Sequence, residues 1–172
     1  MKKLSVLLVA LAALPCLLQA QKLVDKREQA TGWYVPVKFI VTAQHAKAKA
    51  VSAQVFLDNK LIRELPAPKG KFTLALDLDK QYTVVLAKEG YRTKSVYIDT
   101  SIPGQLVQYP AYECTMNLDP ADQYTHADPF YLDFPSAIIR WNDEAHGFLP
   151  EMEYLKDIQA KMAMLQVQAD PR

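Results

Sequence analysis

The chain has little cysteine: of 172 residues, two are cysteine. Cys16 lies in the first 20 residues, which read as a secretory signal. Once that segment is removed, Cys114 has no second cysteine, so an intramolecular disulfide is excluded in the mature chain. Cys114 lies in the alternating run YECTMNL. We expect its thiol to be buried and inert.

An excess of charge of either sign is also missing. The sequence has 20 lysines and arginines against 19 aspartates and glutamates. The first 20 residues carry two of the basic residues and none of the acidic ones, which leaves a formal charge of −1 on the mature chain. A nucleic-acid surface needs a basic excess. We therefore expect no nucleic-acid partner.

The usual catalytic and metal-binding motifs are absent. The sequence contains no HExxH, GxSxG or CxxC pattern and no phosphate-binding loop. The three histidines, His45, His126 and His146, are scattered over predicted loops. We predict no catalytic residue, no metal ligand and no cofactor.

Four acidic residues keep calcium open as an alternative. They lie close together after residue 118, and they are Asp119, Asp122, Asp128 and Asp133. Carboxylate oxygens suit calcium, but this spacing is not that of an EF-hand loop. Two of the four precede proline, and Asp-Pro pairs commonly make turns.

The one long apolar run is Leu4–Leu14, preceded by Lys2 and Lys3. This pattern predicts a signal peptide over residues 1–20 with cleavage after Ala20. The run is too short for a membrane span, and the mature chain has no second such run. An alternative is lipidation at Cys16, although a proline precedes it. We expect an exported protein that is periplasmic, outer-membrane-associated or secreted.

The remaining chain divides into three parts by composition. Residues 21–34 are polar and predict a flexible lead-in, and residues 35–118 predict a β-sandwich domain. Residues 119–172 predict an extended aromatic and acidic segment, a short strand at Ala137–Trp141, and a C-terminal helix from Pro150.

The fold class follows from two periodicities. Apolar residues alternate with polar ones in short runs separated by turn residues, as in Phe72, Leu74 and Leu76, which favours an antiparallel β-sandwich. Near the C-terminus apolar residues recur every three or four positions, which predicts an amphipathic helix. They are Met152, Leu155, Ile158, Met162 and Leu165. We expect this helix to pack on the sandwich, the alternative being a partner.

Residues 70–100, GKFTLALDLDKQYTVVLAKEGYRTKSVYIDT, resemble the second half of a carboxypeptidase regulatory-like domain. The positions that carry the resemblance are Gly70, Phe72, Tyr82, Gly90 and Tyr91. It implies a transthyretin-like, or prealbumin-like, β-sandwich. The tail FPSAIIRWNDEAHGFLPEMEYLKDI is similar to the ends of small secreted envelope proteins of gliding Gram-negative bacteria. That similarity implies a place in the cell envelope and no catalytic residues.

Aromatic residues are concentrated after residue 108. Exposed rings can stack on sugars or hold a peptide, whereas buried ones would cover the sandwich. From this group we take Tyr124, Phe130, Tyr131 and Trp141 as candidate binding residues.

Three functional hypotheses remain. The first is an exported, non-enzymatic binding or assembly component of the bacterial cell envelope, with another envelope protein as partner. The second is a carbohydrate-binding module for a polysaccharide. The third is an enzyme with an unrecognised site built from Asp128, Asp133, His126 and Cys114.

Overall fold

The computed structural model of the chain describes residues 23–25, 33–106, 108–126 and 128–169. The predicted signal peptide and its cleavage site lie outside these ranges. The strands, numbered β1 to β12, are Leu23–Asp25, Tyr34–Ala43, Ala46–Lys47, Val51–Leu57, Lys60–Ala67, Lys71–Asp77, Gln81–Ala87, Lys94–Asp99, Gln108–Pro110, Tyr112–Leu118, Ala137–Asn142 and Gly147–Pro150. Helix α1 is Met152–Ala169, and short 3-10 helices span Ala121–Tyr124 and Pro129–Asp133.

Two larger sheets form the body of the described protein. In the first, β2 pairs with β10, β6 and β3, and the second has the order β12-β11-β8-β7-β4-β5. Buried side chains of both sheets belong to one hydrophobic core. The mainly β fold with a C-terminal helix is therefore confirmed, and its sheets are arranged like a sandwich.

Alternation of apolar and polar residues decides which side chains fill that core. In β2, Val35, Val37, Phe39 and Val41 are buried, with less buried residues between them. Phe39 lies opposite Phe72 of β6 in the register, and their rings stack at 4.9 Å between centroids. A period of two thus gives each strand an apolar face directed into the core.

Tight turns set the register of the antiparallel pairs. Asp58 and Asn59 both have positive φ, 49° and 62°, as a two-residue hairpin between β4 and β5 requires. Gly70 has φ +64°, and a Cβ there would lie 2.6 Å from the backbone oxygen of Val41. Only glycine fits this close approach of the β5–β6 turn to β2.

Two strand pairs are parallel, so both sheets are mixed rather than purely antiparallel. β10 runs parallel to β2, and β11 runs parallel to β8. In each case a long connection separates the paired strands, which parallel pairing requires. The pairing of β5 with β4 continues through Pro66. β5 is an edge strand, which tolerates proline.

Three local features differ from the sequence predictions. Part of the predicted lead-in, Leu23–Asp25, pairs with β9 as a short strand. The segment expected to be extended contains two 3-10 helices. Pro150 ends β12, a strand that was not predicted, and the helix begins at Met152.

Helix α1 packs beside the sandwich rather than projecting from it. It contacts β11 and both 3-10 helices. Ile158 and Leu165 are buried, whereas Met152, at the start of the predicted apolar stripe, is exposed. No helix in the described ranges is long and apolar enough to cross a membrane.

Candidate functional site: an aromatic cluster and a helix cavity

The segment between β10 and β11 is shaped by an aspartate at the start of its second 3-10 helix. The Asp128 carboxylate accepts a hydrogen bond from the Phe130 backbone N–H at 2.9 Å, and Pro129 occupies the first helical position. Both features favour a helical turn at this point. The turn brings Phe130, Tyr131 and Phe134 together on the outside of the protein.

These three residues form what we call the aromatic cluster. Ring centroids of Phe130 lie 5.0 Å from Tyr131 and 5.4 Å from Phe134, with interplanar angles of 79° and 64°. Phe130 is 61% exposed and Phe134 is 39% exposed. The Lys161 ammonium of α1 lies 4.9 Å from the centre of the Tyr131 ring, which ties the cluster to the helix.

Tyr124 lies inside the protein, away from this cluster. It is 5% exposed, and its hydroxyl donates to the Asp119 carboxylate at 3.3 Å and accepts from Gln166 of α1 at 3.0 Å. Burial raises the pKa of this hydroxyl. Tyr124 therefore links the 3-10 helix to α1 as a neutral group.

Trp141 of β11 belongs to a different ring pair, which it forms with a residue of β12. It is half-buried, its ring meets Phe148 edge-on at 5.5 Å, and its indole N–H donates to the Asp143 carboxylate. Of the four candidate binding residues, only Phe130 and Tyr131 are thus brought into contact. Their role in binding stays a prediction.

A second feature is a cavity of about 420 Å³ beneath α1, which we call the helix cavity. It lies where β10 of one sheet and β11 of the other approach α1. Apolar side chains make much of its wall, including Met116, Ile139, Ile158 and Met162. Its volume falls in the range of small-molecule sites.

Three polar residues of the helix cavity, Arg92, Lys94 and Ser136, were not singled out by the sequence. Lys94 forms an ion pair with Asp119 at 2.9 Å, and both side chains are largely buried. Arg92 Nε and Ser136 Oγ are buried and have no hydrogen-bond partner within the described protein. Nothing in the local pattern around Arg92 or Ser136 distinguishes them, because the tertiary fold brings them to the same cavity.

Cys114 also lines the helix cavity, and its chemistry is that of a neutral thiol. It is buried as expected, and burial raises its pKa to about 12. A thiol becomes nucleophilic as the thiolate, which is scarce here near neutral pH.

The other residues of the enzyme hypothesis are not assembled around Cys114. His126, Asp128 and Asp133 are exposed, and Asp128 is engaged by the Phe130 N–H. In the described ranges, no group of three or more His, Cys, Asp and Glu side chains is placed to hold a metal ion.

Comparisons with known proteins find distant structural similarities only. No model of a known protein family matches the chain, and no curated protein matches it either. Among solved structures, S.CueP is 14% identical, with a TM-score of 0.36, over 52% of this chain and 64% of its own.

Two dioxygenases are similarly distant. The 3-chlorocatechol 1,2-dioxygenase from Rhodococcus opacus 1CP is 11% identical, with a TM-score of 0.40, over 56% of this chain and 64% of its own. The catechol 1,2-dioxygenase from Pseudomonas arvilla C-1 is 8% identical, with a TM-score of 0.37, over 56% of this chain and 55% of its own. The chain spans less than two thirds of each of these three structures.

Proposed function

We propose that this chain is an exported, non-enzymatic protein that binds another protein of the bacterial cell envelope through the aromatic cluster. The sandwich would be of the carboxypeptidase regulatory-like type and would hold the cluster in place. Residues 1–20 would direct export to the periplasm, the outer membrane or the medium.

The exposure of Phe130 carries this proposal. A phenylalanine that is 61% exposed leaves a large apolar area in water. Phe134 is exposed beside it, and Met164 of α1 is 63% exposed. Aromatic residues and methionine are enriched at protein interfaces. The Asp128 cap and the Lys161 contact hold the cluster in one shape, which lowers the entropic cost of binding.

A protein partner fits this geometry better than a sugar does. A saccharide ring needs a flat aromatic face, but the three rings meet at 79°, 64° and 38°. Edge-to-face rings present a convex, uneven apolar surface. Such a surface fits a pocket on a partner, where a buried aromatic side chain can dominate the binding energy.

Site-specific photo-crosslinking in the native envelope tests the proposal. A photoreactive phenylalanine at position 130 should crosslink to one envelope protein in living cells. The matched control is position 61, because Leu61 is also a half-exposed apolar residue, at 50%, and lies on the edge strand β5. We expect no crosslink from that position.

Two outcomes would overturn the proposal. The first is that the variant with the photoreactive residue at position 130 is recovered only as an uncrosslinked monomer. The second is retention of the chain on envelope polysaccharide in a way that Phe130→Ala abolishes, which would establish the carbohydrate-binding alternative instead.

A further inference from the structure

The guanidinium of Arg92 is the uncompensated charge of the helix cavity. Lys94 and Asp119 neutralise each other at 2.9 Å. In the described part of the chain, no carboxylate forms an ion pair with the Arg92 guanidinium. A half-buried cation without an anion is unfavourable, so this wall favours a negatively charged group.

The contacts of Arg92 fix the orientation of its side chain, and its hydrogen bond uses Nη1 and not Nε. Its Nη1 donates to the Leu132 carbonyl oxygen at 2.7 Å, and the guanidinium lies 5.4 Å from the centre of the Tyr124 ring. The buried Nε–H has no acceptor in the protein, and the buried Ser136 hydroxyl has no partner either. Arginine forks match the planar geometry of a carboxylate.

The rest of the wall suits an apolar chain. Met116, Ile158 and Met162 contribute hydrocarbon and thioether surface from β10 and α1. Tyr112 and Cys114 stay neutral there, because burial raises the pKa of both side chains. A ligand that carried several charges would leave all but one of them without a partner.

We infer that the helix cavity is a binding site for a monocarboxylate with an apolar chain. Its carboxylate would pair with the Arg92 guanidinium beside Ser136, where a small shift of the side chain would bring the buried Nε–H to the ligand, and its chain would lie between β10 and α1. A free fatty acid and the C-terminal residue of an apolar peptide share this chemistry. Phe134 of the aromatic cluster also lines this cavity, so the two sites are adjacent. The carboxylate would be held by Arg92 rather than by the rings of the cluster.

Calorimetric titration of the full mature chain with decanoate tests the inference, at concentrations below micelle formation. Decanoate should bind with a defined stoichiometry of one. Acetate lacks the apolar chain and 1-decanol lacks the charge, so each should bind at least about tenfold more weakly. A peptide ending in free Leu-Leu, compared with its C-terminal amide, distinguishes the peptide source from the fatty-acid source.

Two variants and one control locate the site. Arg92→Met should weaken decanoate binding by about tenfold or more. Ala163→Phe adds a ring at the exposed edge of the cavity on α1, and it should weaken binding even if Arg92→Met fails to fold. Arg63→Met removes an exposed arginine of β5 and should leave the affinity unchanged.

The inference is wrong if decanoate binds no better than 1-decanol. It is also wrong if neither Arg92→Met nor Ala163→Phe weakens binding while both variants remain folded by circular dichroism. Neither variant replaces a residue of the aromatic cluster, and the crosslink expected at position 130 is measured on the wild-type background. Failure of decanoate binding would therefore not decide the proposed partner binding.

Discussion

The sandwich strands between Tyr34 and Leu118 and the outer segment from residue 119 to residue 169 bury their apolar residues differently. The strands direct alternate side chains into one shared core. Strands β11 and β12 of the outer segment also contribute Ala137, Ile139 and Phe148 to that core. The 3-10 helix and α1 differ, because Tyr124, Ile158 and Leu165 are buried outside it. The outer segment covers one side of the helix cavity, and it carries the exposed rings of Phe130 and Phe134. We therefore expect the sandwich strands to dominate stability, and we place the proposed binding in the outer segment.

The largest effect should come from the sandwich core. Phe39 is fully buried and stacks on Phe72, so Phe39→Ala removes a large side chain and leaves a cavity. We expect the free energy of unfolding to fall by about 3–5 kcal/mol, measured by urea denaturation. Leu61→Ala on exposed β5 is the control and should change it by less than about 0.5 kcal/mol. A loss of only about 1 kcal/mol at Phe39 would contradict the central role of this core.

A smaller and more local effect is expected from α1. Leu165 is buried outside the main core, so Leu165→Ala should lower the free energy of unfolding by about 2 kcal/mol, near the low end for such changes. Hydrogen exchange should accelerate in α1 while β7 keeps its protection, because the two would open separately. Equal loss of protection in α1 and β7 would show that they unfold as one cooperative unit, which would contradict separate opening of the outer segment.

These two regions also differ in how far the sequence predicts them. The bounds of β10 follow directly from the alternation around Cys114, and the β4–β5 hairpin follows from Asp58 and Asn59. The parallel pairing of β10 with β2 does not, because strand partners are chosen by packing between distant segments. Strand β12 has four residues and ends in proline, which is too short for a periodic signal.

The candidate site was less predictable for the same physical reason. Phe130 and Tyr131 were chosen by residue type, and the structure brings them together through the Asp128 cap. Arg92 and Ser136 are 44 positions apart in the chain and meet in one cavity wall through the tertiary fold. No local pattern of charge or hydrophobicity records such a meeting.

The pH dependence of the free energy of unfolding tests whether Cys114, at the wall of the helix cavity, is shielded from solvent. The buried Cys114 thiol has its pKa raised from 9.0 to about 12. Above about pH 9 the unfolded thiol loses its proton while the folded one keeps it, so raising the pH favours unfolding. The slope should be about 0.7 kcal/mol per pH unit at pH 9 and should approach about 1.4 kcal/mol per pH unit between about pH 10 and pH 11.

The matched variant Cys114→Ala isolates this contribution from that of the tyrosines. The difference in free energy of unfolding between wild type and variant should be constant below about pH 8. It should then shrink as the pH rises. A difference that stays constant up to about pH 10 would mean that the thiol is accessible to solvent at the cavity wall.

The most direct test of the whole account is one double variant, Phe130→Ala/Phe134→Ala, measured for stability and for partner binding together. Both rings are exposed, so we expect the free energy of unfolding to change by no more than about 0.5 kcal/mol. Recovery of the envelope partner after crosslinking with a soluble reagent in cells should be lost. Undiminished recovery of that partner, or a fall in stability of several kcal/mol, would contradict the assignment of binding to the aromatic cluster and of stability to the sandwich.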